Sequence, residues 1–241
     1  MDGRLYTGTS GFAYRDWVPT FYPPGTRRED LLRSYATRLA ACELNNTYYR
    51  QPTPGRIAAW VAATPPGFRF TAKAQRGGSI RALLSDPGAV LPWLTAPMTA
   101  LGERLGSVLF RVPAEVERDD RRLTALLLAW PAGLPLTIEF QNPSWFDDDV
   151  FALLRSAGAV LCATETDDDP EPPSLRLTGP FVYLRLRRTA YTPEELGAWV
   201  DRIEPFLRAG HDAFVFFRHD AGGDSALRAV EFSRRAEAAL R

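Results

Sequence analysis

A chain of 241 residues, 45% hydrophobic, 12% aromatic and 24% charged, has the composition of a globular protein, and no apolar run in it is long enough to span a bilayer. Twenty-nine acids balance 29 Lys and Arg residues, so the net charge of zero excludes a protein that coats nucleic acid through a broad basic surface and leaves room for a small, locally basic site. The two cysteines, Cys42 and Cys162, exclude a disulfide framework and lack metal-ligand spacing, and the start Met1-Asp-Gly-Arg-Leu5 shows no signal peptide, so a cytoplasmic protein is expected.

Short β-prone runs alternate with amphipathic helical runs along the chain. Leu5 to Thr9 reads as the first strand, followed by a loop rich in glycine, proline and aromatic residues that includes Phe12, Tyr14, Trp17 and Phe21. Glu29 to Ala41 reads as a helix with Leu31, Leu32, Tyr35 and Leu39 on one face, and Ala41 to Asn45 as the second strand. Thr53-Pro54 supplies a cap and a first-turn proline for a helix from Gly55 to Ala63. Phe68 to Ala74 is the third strand. Asp86-Pro87 opens a helical region to Arg104 that Pro92 and Pro97 are expected to kink or break.

The alternation continues with a strand from Gly106 to Val112, a helix from Arg121 to Trp130 and a strand from Leu136 to Gln141. A helix from Asp147 to Ser156 and a strand from Ala159 to Glu165 lead to the acidic, proline-rich Thr166 to Pro173, after which the sixth helix is short or missing. Phe181 to Arg187 is the seventh strand. Thr192-Pro-Glu-Glu195 is a capping box for a helix to Leu207, Ala213 to His219 is the eighth strand, and Asp224 to Leu240 the last helix. Eight such units predict one domain, residues 1–241, of α/β class: a TIM-type (β/α)8 barrel, irregular around the sixth helix.

Residues two apart on a strand share a face, so the outward residues identify the inward ones. Leu136, Ile138 and Phe140 on the helix side turn Glu139 inward, and Val182, Leu184 and Leu186 do the same for Tyr183, Arg185 and Arg187. By the same rule Arg111, Glu43 and Asn45 point in, with Lys73 at the end of the third strand and one or more of Arg218, His219 and Asp220 at the end of the eighth. Lys73 is the only lysine of the chain. An ammonium group, unlike guanidinium, can be deprotonated when buried and so act as base or nucleophile. Charges at the carboxyl ends of barrel strands mark the face where barrel active sites lie, the plainer alternative being a structural ion-pair network. The run His219-Asp-Ala-Gly222-Gly223-Asp224-Ser225 places flexible backbone before a helix, either as a phosphate loop or as a simple cap. Trp17, Tyr48, Tyr49 and Trp145 join Phe12 and Tyr14 as rim aromatics that could stack on a base or sugar or anchor loops.

The chain carries Gly8-Thr-Ser-Gly with Asp16-Trp17 and Phe21-Tyr22-Pro23, Glu43-Leu-Asn45 with Thr47-Tyr48-Tyr49-Arg50, Phe68-Arg-Phe70 with Lys73, Leu109-Phe-Arg-Val-Pro113, Glu139-Phe140 with Trp145, and Tyr183-Leu-Arg185. In these motifs and their order it resembles the YecE-like proteins, domain-of-unknown-function family seventy-two. The resemblance implies a TIM-type barrel without an established activity; phosphodiester chemistry follows only by analogy with barrel nucleases. Arg185-Leu-Arg187-Arg188 and Phe217-Arg218-His219-Asp220 stand where the family tends to have Arg-Leu-His-Gly and Phe-Asn-Asn-Asp. Arg111 replaces a usual glutamine, and Gly78-Ser79-Ile80-Arg81 a Thr-His, so this site is more cationic than the family's.

Three functions fit these residues. The first is an enzyme acting on a phosphate-bearing substrate, a phosphodiester or nucleotide. In it Arg111, Arg185, Arg187 and Arg218 clamp the phosphate, Glu43 or Glu139 is the general base, Asp220 or His219 its partner and Lys73 an acid or electrostatic group. Mg or Mn could sit on Glu43, Glu139 and Asp220, whereas two histidines are too few for a histidine-rich three-metal site. The second is a Schiff-base lyase or isomerase on a sugar phosphate, using Lys73. The third is a non-catalytic protein that binds an anion or nucleic acid.

Overall fold

The computed structural model describes residues 2–241. Eight parallel strands form one sheet: β1 (Leu5–Thr9), β2 (Ala41–Leu44), β3 (Arg69–Lys73), β4 (Leu105–Val112), β5 (Leu136–Phe140), β6 (Val160–Glu165), β7 (Phe181–Leu186) and β8 (Asp212–Phe217). Eight α-helices accompany them: α1 (Leu31–Tyr35), α2 (Pro54–Ala62), α3 (Arg76–Leu84), α4 (Pro87–Thr99), α5 (Asp120–Ala129), α6 (Asp148–Ala157), α7 (Pro193–Arg208) and α8 (Asp224–Ala239). The order β1-β8-β7-β6-β5-β4-β3-β2 curls the sheet into a nearly closed TIM-type barrel. No described helix is long and apolar enough to cross a membrane.

The barrel closes at the seam between β1 and β2, where the only ladder contact among the described residues is the Ser10–Glu43 bridge. Two features draw the strands together. Gly8 lies so close that a Cβ there would sit 2.0 Å from the Ala41 carbonyl oxygen, so the approach requires glycine. The Tyr35 hydroxyl, fully buried, accepts from the Thr9 amide at 2.8 Å and donates to the Ala41 carbonyl at 3.0 Å, standing in for a missing ladder bond. Tyr35→Phe therefore leaves a buried donor and acceptor unpaired and is expected to cost about 1–3 kcal/mol in urea denaturation. A loss below a few tenths would show that the hydroxyl does not hold the seam.

Strand alternation divides the apolar residues as the sequence predicts. Val108, Phe110, Ile138, Leu184 and Val215 pack outward beneath the helices, while Tyr6, Phe181, Tyr183, Phe214 and Phe216 fill the barrel interior. The interior is an aromatic plug, with Tyr6 stacked on Phe214 at 4.7 Å. Inward hydroxyls among it are paired, Thr71 with Tyr183 and Ser107 with Thr137, and the charged groups lie in the layer above.

The helices differ from the sequence reading in three places. The apolar face of the first helix is correct, since Leu31, Leu32, Tyr35 and Leu39 are all buried, but α1 ends at Tyr35. The helix α3 is additional; Gln75 caps it through the Gly78 amide at 2.7 Å. Neither Pro92 nor Pro97 breaks α4. Pro97 has no N–H to give the Trp93 carbonyl, and Gln51 Nε2 donates to that oxygen at 3.3 Å and to Leu94 O at 3.2 Å instead. No helix follows β6 among the described residues, as the sequence reading allowed, and an extended loop runs from there to β7. Asp167 ties that loop down by accepting from the Thr189 amide and hydroxyl.

Candidate functional site

The inward residues at the carboxyl ends of the strands form a buried ion layer on top of the aromatic plug. Glu43 on β2 is wholly buried and accepts from the Ser10 hydroxyl at 3.1 Å and the Tyr183 hydroxyl at 2.9 Å. The Arg185 fork grips both its oxygens, Nε to Oε2 and Nη2 to Oε1, each at 3.0 Å. Lys73 Nζ adds an ion pair at 3.1 Å. Glu139 on β5 accepts from Arg185 Nη1 at 2.5 Å, from Thr164 Oγ1 at 2.8 Å and from Arg111 Nε. One guanidinium thus bridges two carboxylates from β2 and β5, strands that do not pair with each other.

Burial alone would push both carboxylates up, but the cations outweigh it. Arg185 and then Lys73 hold Glu43 well below the usual carboxylate range. Arg185 and Arg111 hold Glu139 at about 2. Both are ionised acceptors with their lone pairs engaged, which makes them charge-balancing groups at neutral pH.

The proton-active groups lie nearer the opening. Lys73 Nζ donates to Asn45 Oδ1 at 2.5 Å, and Asn45 is fixed because its Nδ2 donates to the Ser10 carbonyl at 2.9 Å. Burial lowers the Lys73 amine to about 8; Glu43 opposes the shift, and Arg185 and Arg187 reinforce it. His219 stacks on Tyr14 with ring centroids 5.0 Å apart, and its buried Nδ1 has no hydrogen-bond partner. Burial and the Arg187 charge depress its pKa, so the ring is neutral at pH 7.

Arg187 has no carboxylate within ion-pair distance among the described residues. Its hydrogen bond is to the Ser10 hydroxyl at 3.2 Å. Burial first, then Arg185, lowers its pKa, but a guanidinium stays charged in a protein. Lys73, Arg111, Arg185 and Arg187 line a cavity of about 310 Å3 together with Tyr14, Asn45, Tyr48, Tyr49 and His219. The guanidinium of Arg111 lies 5.6 Å from the centre of the Tyr48 ring.

Other candidates fall outside this constellation. Trp17 and Trp145 are fully buried loop anchors, donating to the carbonyls of Asp220 and Val116. Arg218 is exposed and does not line the cavity. Asp220 accepts from the Gly223 amide at 2.5 Å and the Ser225 amide at 2.6 Å, so the protein's own carboxylate fills the α8 N-terminus. Gly222 and Gly223 therefore shape a cap, with Gly223 at φ 89°, and offer no free phosphate loop. Asp220→Ala is expected to lower stability by about 1–2 kcal/mol in thermal or urea unfolding while leaving anion affinity unchanged. Nor do Glu43, Glu139 and Asp220 converge: no group of three or more potential His, Cys, Asp or Glu ligands exists among the described residues. The Mg or Mn expectation thus lacks a fitting donor set.

Ser10 and Thr164 are the site residues that the sequence reading did not select, whereas Tyr14 stands among its rim aromatics. Strand alternation could have found both, since Ser10 follows Tyr6 and Gly8 at two-residue steps and Thr164 follows Cys162. A second cavity, of about 300 Å3, opens outside the barrel wall where β5 and β6 part after Ile138–Leu161. Phe140, Phe146 and Phe151 line it, and it lacks a charged cluster.

This is a parallel α/β barrel whose carboxyl-end mouth opens onto a buried, arginine-bridged ion layer. The family model described as "Protein of unknown function DUF72" matches residues 6–241, and the chain belongs to that family, the YecE-like group. A DUF72 family protein from Thermotoga maritima is 25% identical, with a TM-score of 0.85 over 97% of this chain and 99% of that one. A DUF72 family protein from Enterococcus faecalis, 20% identical, shares the fold with a TM-score of 0.79 over 97% of this chain and 95% of its own. No curated protein matches the chain.

Proposed function

We propose that the chain is an enzyme that binds a phosphate-bearing substrate in the barrel mouth and acts on it by proton transfer. The observation that carries this reading is Arg187, a half-buried cation that faces the cavity without a carboxylate partner. A buried charge is costly unless paired, so a site that keeps one is suited to an anion that completes the pair. Lys73 and His219 are the groups at this mouth able to exchange a proton near neutral pH, and they take the acid and base roles. The carboxylates hold Lys73 and the arginines in place.

A melting-temperature panel of sugar phosphates, nucleotides and oligonucleotides tests the binding, and phosphorus NMR of the same samples tests turnover. Ligand at a hundred times its dissociation constant adds about 2.7 kcal/mol, a readily visible shift. Stabilisation by none of the phosphorylated compounds would sink the reading, and binding without turnover would reduce the protein to an anion binder. The lowered pKa of Lys73 supports a second reading, Schiff-base chemistry on a sugar phosphate, in which borohydride traps substrate on Lys73.

A further inference from the structure

The charge balance and closed floor of the mouth narrow the substrate class. We infer that the site takes a terminal phosphate, a phosphomonoester dianion, rather than an internal phosphodiester of a nucleic acid; this rests on the phosphate-binding reading above. Four cations, Lys73, Arg111, Arg185 and Arg187, meet two carboxylates, Glu43 and Glu139, which leaves a surplus of two positive charges. The remaining lining groups, Tyr14, Asn45, Tyr48, Tyr49 and His219, contribute no negative charge at pH 7. A phosphomonoester carries about −1.5 to −2 at that pH, which matches the surplus. A phosphodiester carries a single charge and leaves one cation uncompensated in a part-buried site.

The shape agrees with the charge. Below the ion layer the barrel is filled by Tyr183, Phe214 and Phe216, so nothing passes along its axis. An internal phosphodiester needs two exits, one for each esterified oxygen. A monoester needs one exit and presents three free oxygens to the cations. Tyr48 and Tyr49 line the same cavity, and Tyr49 is exposed to solvent.

Isothermal titration calorimetry at pH 7.5 with phenyl phosphate and with methyl phenyl phosphate, its monoanionic ester, separates the two classes. One extra charge a few ångströms from a part-buried cation is worth at least about tenfold in affinity, so phenyl phosphate is expected to bind tighter by that factor or more. Arg187→Gln should bring the two ligands within about threefold of each other, and Arg187→Lys should preserve the gap. Equal binding of both esters to the wild type would overturn the monoester assignment while leaving the phosphate-binding reading in place. Binding of neither would overturn both. The wild-type comparison decides the matter by itself even if Arg187→Gln fails to fold.

Discussion

Arg185→Met is expected to destabilise the protein by about 3–5 kcal/mol at pH 7, the usual cost of removing one partner from a buried ion cluster. Arg185 is buried and, among the described residues, is the one cation that touches both Glu43 and Glu139. Its loss leaves each carboxylate with a single cation, Lys73 or Arg111, against full burial. The pH dependence distinguishes this cause from simple misfit of the methionine. In the wild type the two glutamates are held below their unfolded value of about 4.3, so they bind fewer protons folded than unfolded. Their contribution is fully present above that value and is lost as pH falls toward the Glu139 value of about 2. Without Arg185, burial raises both carboxylates and the acid-side slope flattens. Urea midpoints from pH 3 to 7 measure it. A loss under 1 kcal/mol, or an unchanged slope, would mean that Arg185 does not balance the pair.

The ion layer was legible in the sequence because strand alternation is a local rule. Once Leu184 and Leu186 face the helices, Arg185 must face the axis, and the same step places Glu139 between Ile138 and Phe140. What the rule cannot supply is the pairing of groups brought together from distant strands. Nothing local shows that one guanidinium spans β2 and β5, or that Arg187 is left without an acid. The candidates that lie outside the cavity lining are those whose side chains serve a loop backbone. Asp220 and Trp17 read as site residues because of their position, yet each is engaged by a loop or helix end. The helix α3 was hidden by Gly77 and Gly78, poor helix formers whose absent side chains have a packing use. A Cβ at Gly78 would come within 2.7 Å of Leu94 and 2.8 Å of Trp93, so glycine lets α4 lie close against α3. Packing decides there, and propensity gives the wrong answer.

Lys73 is the second place where a single group dominates. Being the only lysine, it makes amine chemistry in this protein unusually easy to assign. Its amine titrates near 8 when folded and near 10.4 in an unfolded chain. Reductive alkylation with glyoxylate and cyanoborohydride is therefore expected to give one side-chain adduct, at Lys73, with a rate that rises to a plateau just above pH 8. In denatured protein the rise continues to about pH 10. Inorganic phosphate should protect the native amine by occupying the cavity that exposes it. The same shift acts on stability. Between about pH 8 and 10 the unfolded chain holds a proton that the folded chain has released, so the Lys73 contribution rises with pH, by up to about 3 kcal/mol. Lys73→Met removes that dependence, and subtracting its stability curve from the wild type isolates it from the tyrosines that titrate higher, such as Tyr14 at about 12. A native labelling midpoint above pH 10, or parallel stability curves for the two proteins, would show that the amine is an ordinary one. Lys73 would then join Arg111 and Arg185 as fixed positive charge, leaving His219 as the proton-exchanging group at the mouth.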